Sequence, residues 1–177
     1  MVSFILLSTC LGASCLFLAV LYGVLPRGLR DWQRTLPRER WLGSALGSIC
    51  LVWAAYHACV MLEGDLSRFH FLVKLMVPVG GILCFFFLDF LFARALGGFF
   101  VLCANQLVHD AFVHDLSARA VYSLVCLAIG VIGLFLLGAP WRFRDSIDLA
   151  ARQPRWSRCF AGLFLLFALI LIFQPYL

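Results

Sequence analysis

The sequence predicts an all-α fold: a polytopic integral membrane helical bundle of about six transmembrane helices, with short interfacial helices in the cytoplasmic loops. Three observations carry this expectation. The 177 residues are 64% hydrophobic and only 13% charged, about half the charged share of an ordinary soluble domain. Their apolar residues fall in long runs of the kind a bilayer demands, roughly 20 residues per crossing. Of fourteen Lys and Arg, ten lie in two short stretches, Arg27, Arg30, Arg34, Arg38 and Arg40, then Arg142, Arg144, Arg152, Arg155 and Arg158. Positively charged loops stay on the cytoplasmic side, so both stretches are expected to face one compartment, with an even number of crossings between them.

The whole chain, 1–177, reads as a single membrane domain. The first apolar run, 2–25, has no Lys or Arg ahead of its core and no small-residue cleavage pattern, so it is expected to be a retained helix and not a signal peptide. Pro26 and the first arginine stretch end it. The second span, 42–62, is closed by Glu63, Asp65 and Arg68. From His70 the chain is apolar to Val108, too long for one crossing at about 1.5 Å per residue. A turn at Pro78-Val79-Gly80-Gly81 leaves a stub of roughly eight residues before it, too short to cross. The turn is therefore expected near Asp89, giving a third span at 70–88 and a fourth at 92–112. Pro78 and its glycines then kink or closely pack the third. Runs at 120–137 and 159–173 complete the set and satisfy the parity rule. Both termini are expected outside, and the surplus of arginine over a single lysine, Lys74, with much Leu, Ala and Gly, is a mix that high-GC bacterial genomes favour, so the membrane is expected to be a bacterial inner membrane.

The two arginine loops resemble each other. Pro26 precedes Arg30-Asp31 as Pro140 precedes Arg144-Asp145, and Pro37-Arg38 is echoed by Pro154-Arg155. Leu29, Trp32 and Leu36 in one loop, and Phe143, Ile147 and Ala150 in the other, stand at near-helical spacing. Each loop is expected to lie on the membrane surface, anchored by Trp32, Trp41, Trp141 and Trp156. Convergence on interfacial chemistry explains the likeness better than duplication. The net charge of +5 is used up by orientation and by anionic lipid headgroups, with Arg27, Arg30, Arg34, Arg142, Arg144 and Arg155 as the candidate headgroup or partner contacts, and nucleic acid is not expected. Seven of the eight cysteines lie inside apolar runs and none forms a C-x-x-C pair, so they read as packing residues.

The fourth span is the most unusual, carrying Arg94, Asn105, Gln106, His109 and Asp110 where lipid favours none of them. At 100° per residue Arg94, Gly98, Asn105 and His109 fall within about 60° of one another, a stripe about 22 Å long. A stripe of this kind is expected to face protein or water. The second span presents a face of small residues, Gly43, Gly47, Cys50 and Ala54, which permits close helix packing and carries His57 into the same sector. His57, His109, Asp110 and His114 form the candidate set for a metal or haem, although H-x-x-x-H and H-E-x-x-H patterns are both absent. Asp89-Phe-Leu-Phe-Ala-Arg94 has the spacing of the D-G-x-x-A-R segment of CDP-alcohol phosphatidyltransferases. Phe90 replaces its glycine, however, and Asp110 and Asp115 miss the downstream positions, so the clustered carboxylates that chemistry needs are lacking. No phosphate-binding glycine loop or nucleophile elbow occurs.

Small size and sparse ionisable groups therefore favour a non-catalytic integral membrane subunit or an assembly or scaffold protein, with other membrane protein subunits as partners. A small-solute or proton transporter using the stripe, and a haem-, quinone- or metal-binding redox protein, are the alternatives. No cofactor is assigned by the sequence.

Overall fold

The computed structural model describes residues 2–23, 36, 39–62, 69–87, 89–113 and 118–176. Among these the chain is all-α. Helix α1 is Val2–Gly23, α2 Arg40–Met61, α3 His70–Phe87, α4 Leu91–Val113, α5 Arg119–Gly138, α6 Trp141–Arg152 and α7 Pro154–Phe173, followed by a 3-10 turn at Gln174–Tyr176. Five of them, α1, α2, α4, α5 and α7, are long and apolar enough to cross a membrane, whereas α3 is apolar but shorter. Helix α7 begins well before position 159. Pro154 occupies its first turn, where a missing N–H costs nothing, and the basic residues Arg155 and Arg158 extend the helix beyond its apolar run.

Two antiparallel pairs form the centre. Helix α4 meets α5 through Gly97 and Gly133: a Cβ added to either glycine would sit 2.7 Å from the other's carbonyl oxygen. This backbone-to-backbone approach is possible only because neither residue has a side chain. Helix α1 meets α7 through Gly12, whose added Cβ would lie 2.7 Å from Ile172, and through Gly23, 2.9 Å from Ala161. Fully buried Ser8 joins the pairs. Its hydroxyl donates to the carbonyl of Leu171 on α7 and accepts from the Tyr122 hydroxyl of α5 at 2.7 Å. Between the pairs Leu11, Cys15 and Leu18 pack with Phe100, Cys103 and Leu107, and with Cys126 and Ile129. The attraction within lipid is contact density rather than removal from water, since acyl chains are as apolar as leucine.

Helix α2 runs parallel to α4. Gly43 faces the backbone of Leu91 and Phe92, with an added Cβ 2.6 Å from the Phe92 nitrogen, and Gly47 faces Ala95. Helix α3 is antiparallel to α2, with Trp41 against Phe85 and Leu51 against Gly80 and Gly81. The α3–α4 turn at Asp89–Phe90 places Phe90 at φ 57°, an uncommon conformation for an aromatic residue. Helix α6 lies across the end of the bundle with Phe143 and Ile147 buried and Ala150 half-buried. Its anchor is a chain of hydroxyls. Tyr22 donates to Ser146 at 2.6 Å, Ser146 donates to the Phe143 carbonyl, and Ser157 of α7 donates to the Tyr22 carbonyl.

These contacts fix which helix ends meet. Gly23 and Tyr22, Trp41 and Gly43, Phe85, Leu91 and Arg94, Leu137, α6 and Ser157 all lie at one end. That end therefore carries Arg40, Arg142, Arg144, Arg152, Arg155 and Arg158. Of the other arginine loop, Leu36 is buried, and Arg27, Arg30, Arg34 and Trp32 lie outside the described residues. The eight cysteines are all free thiols.

Candidate functional site

The small-residue face of α2 builds one wall of a groove of about 390 Å³. Gly43, Ser44, Gly47, Ser48, Cys50, Leu51 and Ala54 come from α2, Gly81, Cys84 and Phe85 from α3, and Arg94, Gly98, Val101 and Leu102 from α4. The four residues of the α2 face thus divide between two tasks. Gly43 touches the α4 backbone and the Cys50 thiol points at the Ala95 carbonyl, 3.7 Å away, while Gly47 and Ala54 leave the groove its width. Gly98 stands opposite with nothing within 4 Å of an added Cβ.

Arg94 is the charged residue of this groove. Its Nη1 donates at 3.4 Å to the carbonyl of Leu137, an acceptor freed at the end of α5. Its Nε is buried with no hydrogen-bond partner, and among the described residues no carboxylate pairs with it. A half-buried guanidinium facing an apolar groove without a counter-charge is costly unless something anionic or polar reaches it.

The rest of the stripe does not turn inward. Asn105 and His109 are exposed on the surface of the single chain, and Gln106, half-buried, donates to Asp110 at 2.9 Å one turn on. The stripe is expected to face protein or water; among the described residues its outer half, Asn105 and His109, is left uncovered. The buried face of α4 is instead set by Gly97, Phe100, Ala104, Leu107 and Ala111, whose small members admit α5, and the polar residues occupy the remaining side.

The candidate metal or haem ligands are dispersed. His57 lies among rings, 6.1 Å from Trp53 and 5.8 Å from Tyr56. The α2–α4 register carries it to the depth of Asn105, about one turn short of His109. Asp110 is engaged by Gln106, His70 bonds the Leu62 carbonyl at 2.9 Å, and His114 lies outside the described residues. Among the described residues no three His, Cys, Asp or Glu side chains gather as a metal site would require. Of the candidate headgroup contacts, Arg142 and Arg155 are exposed and Arg144 pairs with Asp145 at 3.2 Å.

Three positions that organise the bundle carry no signal in the sequence. Gly97 and Gly133 are ordinary small residues until the α4–α5 pairing is known, and Ser8 looks like one hydroxyl in an apolar helix. A second, smaller cavity of about 250 Å³ lies between α1, α5, α6 and α7, bordered by Tyr22, Phe135, Arg142, Ser146 and Phe160. No family model matches the chain, and neither a curated protein nor a solved structure is significantly similar to it.

Proposed function

We propose that this chain is a non-catalytic subunit or assembly component of a larger membrane complex. In this reading it crosses a bacterial inner membrane six times, with its arginine-rich end in the cytoplasm and both termini outside. The observation that carries the reading is the exposure of Asn105. It lies well inside α4, a helix apolar enough to cross a membrane, and its amide has no side-chain hydrogen-bond partner among the described residues. An amide facing hydrocarbon loses its hydrogen bonds to water and gains none. A partner helix that bonds it recovers this loss, which is how polar residues hold membrane helices together. Exposed His109, one turn nearer the end of α4, extends the same edge. Transport along the stripe requires a path enclosed by protein, whereas among the described residues Asn105 and His109 lie exposed on the surface of the chain.

The test is a photo-crosslinking side chain placed at position 105 in native membranes, with position 124 as control. Leu124 on α5 is 69% exposed and belongs to an apolar face. The expected outcome is a discrete protein adduct from position 105 and only lipid adducts from 124. Lipid adducts alone from both positions overturn the reading.

A further inference from the structure

From the groove between α2, α3 and α4 we infer a binding site for one acidic phospholipid, with its phosphate at Arg94 and one acyl chain along the groove. The lining is polarised along its length. The register that sets Gly43 against Phe92 and Gly47 against Ala95 brings Ser44 and Ser48 to the depth of Arg94. Farther along, Leu51, Val101 and Leu102 make the lining apolar. A ligand that matches it has an anionic head and an aliphatic tail. Its volume of about 390 Å³ falls within the roughly 300–1,000 Å³ of small-molecule sites.

Arg94 supplies the charge complementarity. Its Nε is buried without a partner, no described carboxylate neutralises it, and a guanidinium donates in a fork that fits phosphate oxygens. Arg94 sits in the first turn of α4, at the arginine-bearing end of the bundle, where the headgroups of that leaflet would lie. The occupant therefore enters from the bilayer with its head already at the right depth. A free phosphate has no use for the apolar length of the groove, and a zwitterionic lipid brings a cation beside Arg94.

The experiment uses the full chain, delipidated in a neutral maltoside detergent and examined by native mass spectrometry with added phosphatidylglycerol, phosphatidylcholine or inorganic phosphate. Wild type is expected to retain one phosphatidylglycerol in preference to phosphatidylcholine. Arg94→Gln is expected to weaken that retention roughly 10- to 100-fold, the worth of a charge-assisted hydrogen bond, with Arg94→Lys keeping most of it. Gly98→Leu projects into open space, so it is expected to keep the wild-type melting temperature while excluding the lipid. It also serves if Arg94→Gln does not fold. Arg152→Gln, at an exposed arginine outside the groove, is expected to change nothing. The inference is overturned if Gly98→Leu binds like wild type, if phosphatidylcholine or inorganic phosphate is retained equally well, or if Arg152→Gln weakens binding as much as Arg94→Gln.

Discussion

Ser8 shows how much one hydroxyl can organise in a chain with few polar groups. It is fully buried and ties α1 to both α5 and α7, so Ser8→Ala strands the Tyr122 hydroxyl and the Leu171 carbonyl together. A loss of about 1 to 2 kcal/mol is expected, read as a lower melting temperature in detergent. Tyr122→Phe is expected to cost a similar amount, and the double variant less than the sum, because the second change removes a group already unpaired. Glycines give the complementary prediction. Gly133→Ala drives a methyl against the Gly97 carbonyl and is expected to destabilise by about 1 to 3 kcal/mol. Gly98→Ala, one residue from Gly97 but facing open space, should leave the melting temperature unchanged. Equal effects at the two positions would show that α4 and α5 do not meet as described. None of this was legible in the sequence, since a glycine's importance depends on what stands opposite, and the chain gives composition helix by helix. Gly43 and Gly47 were singled out because they share a face with Cys50 and Ala54; Gly97 and Gly133 are on different helices, and no pattern along one of them connects the two.

Among the elements, α6 was the most readable, because the spacing of Phe143, Ile147 and Ala150 is a local property of 12 residues. Its core-facing side chains lie at the polar end of the bundle, where burial from water contributes in the ordinary way. Phe143→Ala is therefore expected to cost about 3 kcal/mol and to open the α6–α7 connection to protease. Trp141→Ala, at a side chain 49% exposed, should do much less in detergent. A protease pattern that does not distinguish the two would mean that α6 is not held by its apolar face. The turn near Asp89 is readable for a different reason: a turn at Pro78 leaves a stub of roughly eight residues, too short to cross, arginine parity supports the same choice, and Pro78 lies inside α3. The polar stripe was half legible. Periodicity puts Arg94, Asn105 and His109 on one side of α4, but it gives no means of knowing which side packs. That was decided by Gly97, Ala104 and Ala111, whose small size draws α5 to a face well round the helix from Asn105. The rule that polar residues face inward assumes a single chain with its full complement of neighbours. The exposed amide is consistent with a neighbour belonging to another protein.

For the molecule as a whole, the strongest constraint is the agreement between charge and contact. Hydropathy and charge alone assign the arginine stretches to one side. Independently, the helix pairings bring Arg40, Arg94, Arg142, Arg155 and Arg158 to one end, through contacts as local as Ser157 with Tyr22 and Trp41 with Phe85. Among the described residues the opposite end carries His70, Lys74, Asp110 and Arg119, a much sparser basic complement. In the proposed layout the positive-inside rule puts the first end in the cytoplasm. This layout requires α3 to cross despite its length, and 18 residues at about 1.5 Å each span about 27 Å, close to the hydrocarbon thickness. Its many exposed apolar residues, among them Phe71, Met76, Ile82 and Phe86, suit lipid contact along that length. The prediction is an accessibility pattern. In a cysteine-free background, a membrane-impermeant thiol reagent applied from outside should label a cysteine placed at exposed Ala118, before α5, and spare one at exposed Arg152, at the end of α6. Because α3 decides the parity, a third probe at exposed Asp89, between α3 and α4, completes the test. It is spared if α3 crosses and labelled if α3 lies along the outer surface, in which case α4 would have to enter from outside and its pairing with α2 would be lost.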